Sequence, residues 1–203
     1  MSISRFHAEW LSLLDISGPF LSLPVLVRRF PQGLEAHDPD HFRLLRQVHD
    51  EWDDNQQGLK PDPGIHTQWI KWVLKNTLEL DDMLLEGQNI PQTLKAEIEE
   101  PQNRETLRPD MVLMEQDGKK ARLLIQTYPL RQKLTRVVEG KSWKASPDTR
   151  MTQLLRDTGV TLGLVTNGEQ WMLVYAPKGE TSGYTSWYST IWLEEQKTLA
   201  AFR

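Results

Sequence analysis

Apolar positions recur at helical spacing from Phe6 to Leu14. They do so again from Asp40 to Asp53, where Phe42, Leu45, Val48 (or His49) and Trp52 fall on one face. Between these stretches Pro19, Pro24 and Pro31 break any long helix, and Phe20 to Val27 reads as a strand or an extended arm. Asn55 to Gly64 is a polar linker with two prolines. After it, Asp62-Pro63-Gly64 supplies a helix start, and Trp69, Trp72, Val73 and Leu80 form the stripe of a helix from about Ile65 to Leu80. The segment 81–107 has no clear period, and Thr93 to Glu100 is polar.

From Asp110 the pattern shortens. Asp110 to Glu115 and Ala121 to Tyr128 are strand-like runs around a Gln116-Asp117-Gly118 turn. A helix from Pro147 or Asp148 to Thr158 carries Met151, Leu154 and Leu155. Leu162 to Thr166 and Gln170 to Tyr175 flank an Asn167-Gly168 turn as a second hairpin. Gly179 to Ser186 reads as a loop, Trp187 to Leu193 as a last strand, and Leu199 to Arg203 as the start of another apolar helix. Helix, two strands, helix and two strands predict an α/β fold with a mixed sheet flanked by helices. The division expected is an accessory, mainly helical segment over 1–60 and the α/β domain over 61–203, with the chain belonging to a longer protein.

Composition removes several chemistries. The absence of cysteine excludes disulfides, thiol nucleophiles and thiolate zinc sites. There is no basic leader followed by an apolar run, and no apolar stretch long enough for a membrane helix, so a soluble cytoplasmic protein with no membrane partner is expected. No P-loop, Rossmann fingerprint or Gly-x-Ser-x-Gly elbow occurs. The net charge of −4 argues against a uniformly basic nucleic-acid binder, but its distribution is uneven. Glu35 to Glu100 holds fifteen acidic and six basic residues, a net of −9. Lys119 to Arg150 holds Lys119, Lys120, Arg122, Arg131, Lys133, Arg136, Lys141, Lys144 and Arg150 against Glu139 and Asp148, a net of +7. These nine cations are the candidate DNA contacts, since a local basic segment holds phosphates even on an acidic protein.

The chemistry centres on Arg108-Pro109-Asp110 and, sixteen residues on, Ile125-Gln126-Thr127-Tyr128. Residues two apart on a strand point to one side, so an aspartate opening one strand can converge with two groups on the next. This arrangement resembles the PD-(D/E)XK metal-dependent nucleases, in which the later pair is an acid and a lysine. Here Gln126 stands in the place of the acid and Tyr128 in that of the lysine. Glutamine offers only a neutral oxygen to Mg²⁺, and tyrosine no cation at neutral pH. Asp110, Gln126 and Tyr128 form the candidate catalytic set, with Asp110 the candidate metal ligand; Arg131 or Lys133 could stand in for the lysine, and Glu79 or Glu86 could add a carboxylate.

The hairpin Val165-Thr-Asn-Gly-Glu-x-Trp171, with Ile125-Gln-Thr-Tyr-Pro129, Ser146-Pro147, Thr149-Arg-Met151 and Thr181 to Trp187, resembles type I and type IIG restriction proteins. It also resembles the amino-terminal domains of adenine-specific DNA methyltransferases of phage-defence systems such as DISARM. The resemblance covers about residues 65–200. It implies a restriction-endonuclease-like fold, double-stranded DNA and other defence-system subunits as partners, Mg²⁺ at the nuclease site, and S-adenosylmethionine only in a methyltransferase domain further along. The expectation is a catalytically degenerate DNA-engaging domain, with an active endonuclease and a protein-docking module as alternatives. His37, His41 and His49 read as surface residues rather than metal ligands, Trp69 and Trp72 as core, and Thr181 to Ser189 as a hydroxyl-rich surface loop.

Overall fold

Ser146-Pro147-Asp148 has the composition of a helix start: a hydroxyl residue at the cap, proline where no N–H is needed, and an acid in the first turn. In the computed structural model, which describes residues 2–18, 20–35, 38–80, 83–100 and 103–203, helix α5 (Pro147–Thr158) follows it. Gly159 ends α5 in the left-handed conformation, at φ 74°.

The strands are β1 (Asp15–Ser17), β2 (Leu84–Glu86), β3 (Ala96–Glu100), β4 (Asn103–Leu107), β5 (Met111–Met114), β6 (Ala121–Thr127), β7 (Leu162–Thr166), β8 (Gln170–Tyr175) and β9 (Gly183–Tyr188). Seven of them form one sheet in the order β1-β9-β8-β7-β6-β5-β2, while β3 and β4 make a separate hairpin. β2, β5 and β6 are antiparallel, β6 and β7 parallel, β7 and β8 antiparallel. Parallel neighbours require a crossover, and α5 provides it. The protein is thus α/β, with a mixed seven-stranded sheet, flanking helices and a largely helical amino-terminal segment.

By its contacts the chain forms two compact units. The unit made of 16–20 and 82–186 is built on the sheet. Met151, Leu154 and Leu155 of α5 are fully buried with Leu124 of β6, Val165 of β7, and Met172 and Val174 of β8. At Gly163 the helix lies so close to β7 that a Cβ would stand 2.4 Å from Met151 Sδ, so any larger residue would force Met151 to shift. The other unit, 1–15, 21–81 and 187–203, is mainly helical. It contains α1 (Ile3–Leu11), α2 (Leu23–Arg29), α3 (Pro39–Gln57), α4 (Pro63–Trp72), α6 (Ser189–Glu194) and α7 (Gln196–Phe202). α4 continues as a π-helical turn over Val73–Thr77. Trp69 is buried between Trp52, at a ring distance of 5.5 Å, and Trp72, at 6.5 Å. No helix among the described residues is long and apolar enough to cross a membrane.

Four segments differ from the sequence pattern. Phe20 to Val27 is not a strand: Pro24 lies in the first turn of α2, where proline starts a helix instead of breaking one. The polar stretch Thr93 to Glu100 contains β3, which pairs antiparallel with β4, with Ala96 and Leu107 buried while Glu97 and Glu99 face solvent. The last strand ends at Tyr188 and a helix follows, so Trp187 to Leu193 is mostly not strand. Thr185, Ser186 and Ser189 are buried, which makes the expected hydroxyl-rich loop part of the interior.

Candidate functional site

Asp110 immediately precedes β5, and its N–H donates to the Ile125 carbonyl at 2.8 Å. That pairing sets Asp110 beside the end of β6, where its Oδ2 accepts from the Thr127 N–H at 2.7 Å and the Thr127 hydroxyl at 3.1 Å. Gln126 and Tyr128 are two apart along β6 and its extension, so they share one face. Gln126 is 7 % exposed; its Nε2 donates to the Arg108 carbonyl at 2.9 Å, and its Oε1 lies 3.4 Å from the Tyr128 hydroxyl. Asp110, Gln126 and Tyr128 line one cleft of about 890 Å³.

The cleft wall combines three stretches of chain. Beyond Asp110 and Gln126 to Tyr128, Glu105 to Arg108 come from β4 and the residue after it, Arg150 from α5, and the rest from the segment 129–141. Glu105 and Arg150 form a buried ion pair; Arg150 also donates to the Trp143 carbonyl at 3.1 Å and lies against the Trp143 ring. Glu105 accepts from the Trp143 N–H at 2.9 Å. Burial alone would raise the Glu105 pKa, but hydrogen bonds from Arg150 and Trp143 and the guanidinium charge hold it below the ordinary value. Asp110 shows the opposite balance. The residue is exposed as a whole, yet protein crowds its carboxyl, and this desolvation raises its pKa despite the Thr127 hydrogen bonds. Burial pushes the Tyr128 phenol up to about 12, with the Arg150 charge opposing the shift. Tyr128 is therefore a neutral hydroxyl, neither a base nor a cation, at physiological pH.

The structure divides the nine candidate DNA contacts. Arg131, Lys133, Arg136, Lys141 and Arg150 line the cleft with Asp110. Arg150 is 3 % exposed and already paired with Glu105, so it is part of the wall and not a solvated cation. Lys119, Lys120 and Arg122 are exposed at the opposite end of the β5–β6 hairpin. That is on the order of 17 Å from Asp110 at about 3.3 Å per strand residue. Lys144 is exposed outside the cleft. Arg108 is a cleft cation that counting charges over 119–150 passed over, although it stands in the Arg108-Pro109-Asp110 motif. Glu105 was hidden in a polar run whose strand alternation is weak. With Glu105 and Arg150 cancelling, five cations (Arg108, Arg131, Lys133, Arg136, Lys141) face two acids (Asp110, Glu139), a net of +3 on a chain of net −4.

Among the described residues of the candidate set, Mg²⁺ is offered one carboxylate, Asp110, and one neutral amide oxygen, Gln126. That ion takes near-octahedral oxygen, usually one or two carboxylates completed by water and phosphate. Glu105 is held by Arg150 and Trp143, Asp110 is doubly hydrogen-bonded by Thr127, and the Gln126 oxygen is a neutral amide turned toward Tyr128. Glu79 is paired with Arg203 in the helical unit, and Glu86 lies on β2 opposite Met111, outside the cleft lining. His37 lies outside the described residues. His41 stacks on Trp72, and His49 is buried against Trp52 and Trp69. Compared with protein-family models, curated proteins and solved structures, the chain matches none.

Proposed function

We propose that this chain is a restriction-endonuclease-like domain that engages double-stranded DNA through phosphates at an altered, non-cleaving nuclease site. The observation that carries the reading is the cleft itself, where five cations with no ion pair among the described residues line the same walls as Asp110, Gln126 and Tyr128. Phosphates are held by converging Lys and Arg charges, and such a concave arrangement concentrates positive potential on an acidic protein. The topology supports the nuclease-like reading. In the sheet, the antiparallel strands β2, β5 and β6 lead through the crossover α5 to the parallel strand β7, with Asp110 just before the middle strand of the three. The chemistry supports the non-cleaving part. Metal-assisted hydrolysis needs a bound cation to generate hydroxide, and here the acid and lysine positions are a neutral amide and a neutral phenol.

On this reading the domain serves a restriction–modification or phage-defence DNA methyltransferase in the cytoplasm, alongside other defence-system subunits. S-adenosylmethionine then belongs to a methyltransferase domain outside these 203 residues. The test is an anisotropy titration of a short duplex in chelator across a range of salt. Five phosphate contacts predict a slope of log K against log salt of about −4.5, from about 0.9 per phosphate. Binding without salt dependence, or none at low salt, refutes the proposal.

A further inference from the structure

Four of the five cleft cations, Arg131, Lys133, Arg136 and Lys141, sit on a segment, 128–146, that has neither helix nor strand. Arg131, Lys133, Arg136, Lys141 and Lys144 repel one another, which favours an extended, solvated chain. Something must hold it folded. Leu134 is fully buried as an anchor, and its carbonyl accepts from the Asp148 N–H at 3.2 Å. Gln132 Nε2 bridges the Lys133 and Arg136 carbonyls, both at 2.9 Å. Further support comes from outside the segment: Glu105 and Arg150 hold Trp143 at one end, and the turn between β7 and β8 holds the other.

Asn167 of that turn is 6 % exposed and fully used. Its Oδ1 accepts from the N–H groups of Glu169 at 3.2 Å and Gln170 at 2.7 Å, which shapes the hairpin turn. Its Nδ2 donates to the carbonyls of Leu130 at 3.2 Å and Gln132 at 3.0 Å. All four partners are backbone groups of fixed polarity, so the carboxamide has a single orientation. A turn needs only the oxygen; the nitrogen does something else. We infer that Asn167 is a positioning residue that fastens the cationic segment 128–146 to the sheet, so that Arg131 and Lys133 are presented to a phosphate backbone in the cleft. This rests on the phosphate-binding reading above and adds the residue that pre-organises it.

Asn167→Asp separates the two roles. The introduced carboxylate still accepts from Glu169 and Gln170, so the turn stays, but it sets negative charge against two carbonyl oxygens. Protection of the Gln132 and Arg136 amides, read by hydrogen exchange against the wild type, is expected to fall roughly 30-fold, as two hydrogen bonds worth about 5-fold each are lost. Duplex affinity is expected to fall about 10-fold, with a salt slope about one unit shallower, because a loosened segment engages fewer phosphates at once. A merely structural defect lowers the active fraction and leaves the slope unchanged. Acidification is expected to restore part of the protection, because the protonated carboxyl again donates one O–H, to one of the two carbonyls.

Unchanged exchange at neutral pH overturns the inference, as does a loss of protection that acid does not partly restore. Loosened exchange with unaltered affinity and slope overturns it too. If the wild type binds no duplex, the proposed function fails, and exchange alone then decides the role of Asn167: loosening upholds it and unchanged protection overturns it.

Discussion

The pair Glu105–Arg150 is where the cleft wall is most vulnerable. The Arg150 side chain is 4 % exposed and that of Glu105 15 %, so neither charge is well hydrated. Arg150→Met keeps most of the bulk, removes the cation, and strands the Glu105 carboxylate on the Trp143 N–H alone. Breaking a buried pair from one side costs roughly 3–5 kcal/mol. Because some water reaches Glu105, the expected loss is about 3 kcal/mol, the lower end of that range. Urea unfolding followed by tryptophan fluorescence measures it, with Trp143, which contacts the guanidinium, as a local reporter. The double variant Glu105→Gln with Arg150→Met removes both charges and should recover at least ~1 kcal/mol relative to Arg150→Met alone. pH supplies a second reading. Glu105 has a depressed pKa when folded, so the unfolded chain takes up its proton first as pH falls. The contribution of the pair is therefore complete above the ordinary glutamate value of about 4.3 and is lost as pH drops through the lower folded value. Glu105→Gln should flatten that limb. A loss under ~1 kcal/mol for Arg150→Met, or strictly additive single effects, would refute the account of the wall.

Other expectations follow from the same geometry. Arg131→Ala, Lys133→Ala and Arg136→Ala should each make the salt slope of DNA binding shallower by about 0.9, whereas Lys119→Ala with Lys120→Ala, at the far end of the hairpin, should leave it unchanged. Burial raises the Asp110 pKa, so its charge destabilises the fold increasingly as pH rises from the ordinary aspartate value through the raised one. Asp110→Asn should accordingly melt higher at neutral pH and bind duplex about 3- to 10-fold more tightly, from removal of a repulsion of roughly 1 kcal/mol; weaker binding would count against a phosphate site. Gly163→Ala should cost about 1–3 kcal/mol by overpacking against Met151, as read by denaturant midpoint, and Met151→Ala in the same chain should relieve part of it.

How much of this was legible in the sequence varied with the signal. α5 was readable because cap, stripe and terminal glycine agree over Ser146 to Gly159, and the β7–β8 hairpin because Asn167-Gly168 separates two apolar runs. β3 was not, since only Ala96 and Ile98 mark its inner face and the rest is acidic. β9 was disguised by hydroxyl residues that turn out to be buried. The meeting of Asp110, Gln126 and Tyr128 followed from strand period and hairpin register, both local properties. Which cations join them did not, because the fold of 128–146 depends on partners far along the chain, among them Asn167, Glu105 and Arg150. Arg150 counted as one more positive charge in the sequence; only the structure reveals Glu105 beside it.

The central claim is that a nuclease-like scaffold here holds DNA without cutting it. The most direct test incubates supercoiled plasmid with the wild type and Asp110→Ala in Mg²⁺ or Mn²⁺, with duplex affinity measured in the same buffers. The account predicts salt-sensitive binding by both proteins and no nicking by either. Metal-dependent nicking by the wild type that disappears in Asp110→Ala would contradict it and make the cleft a live endonuclease site.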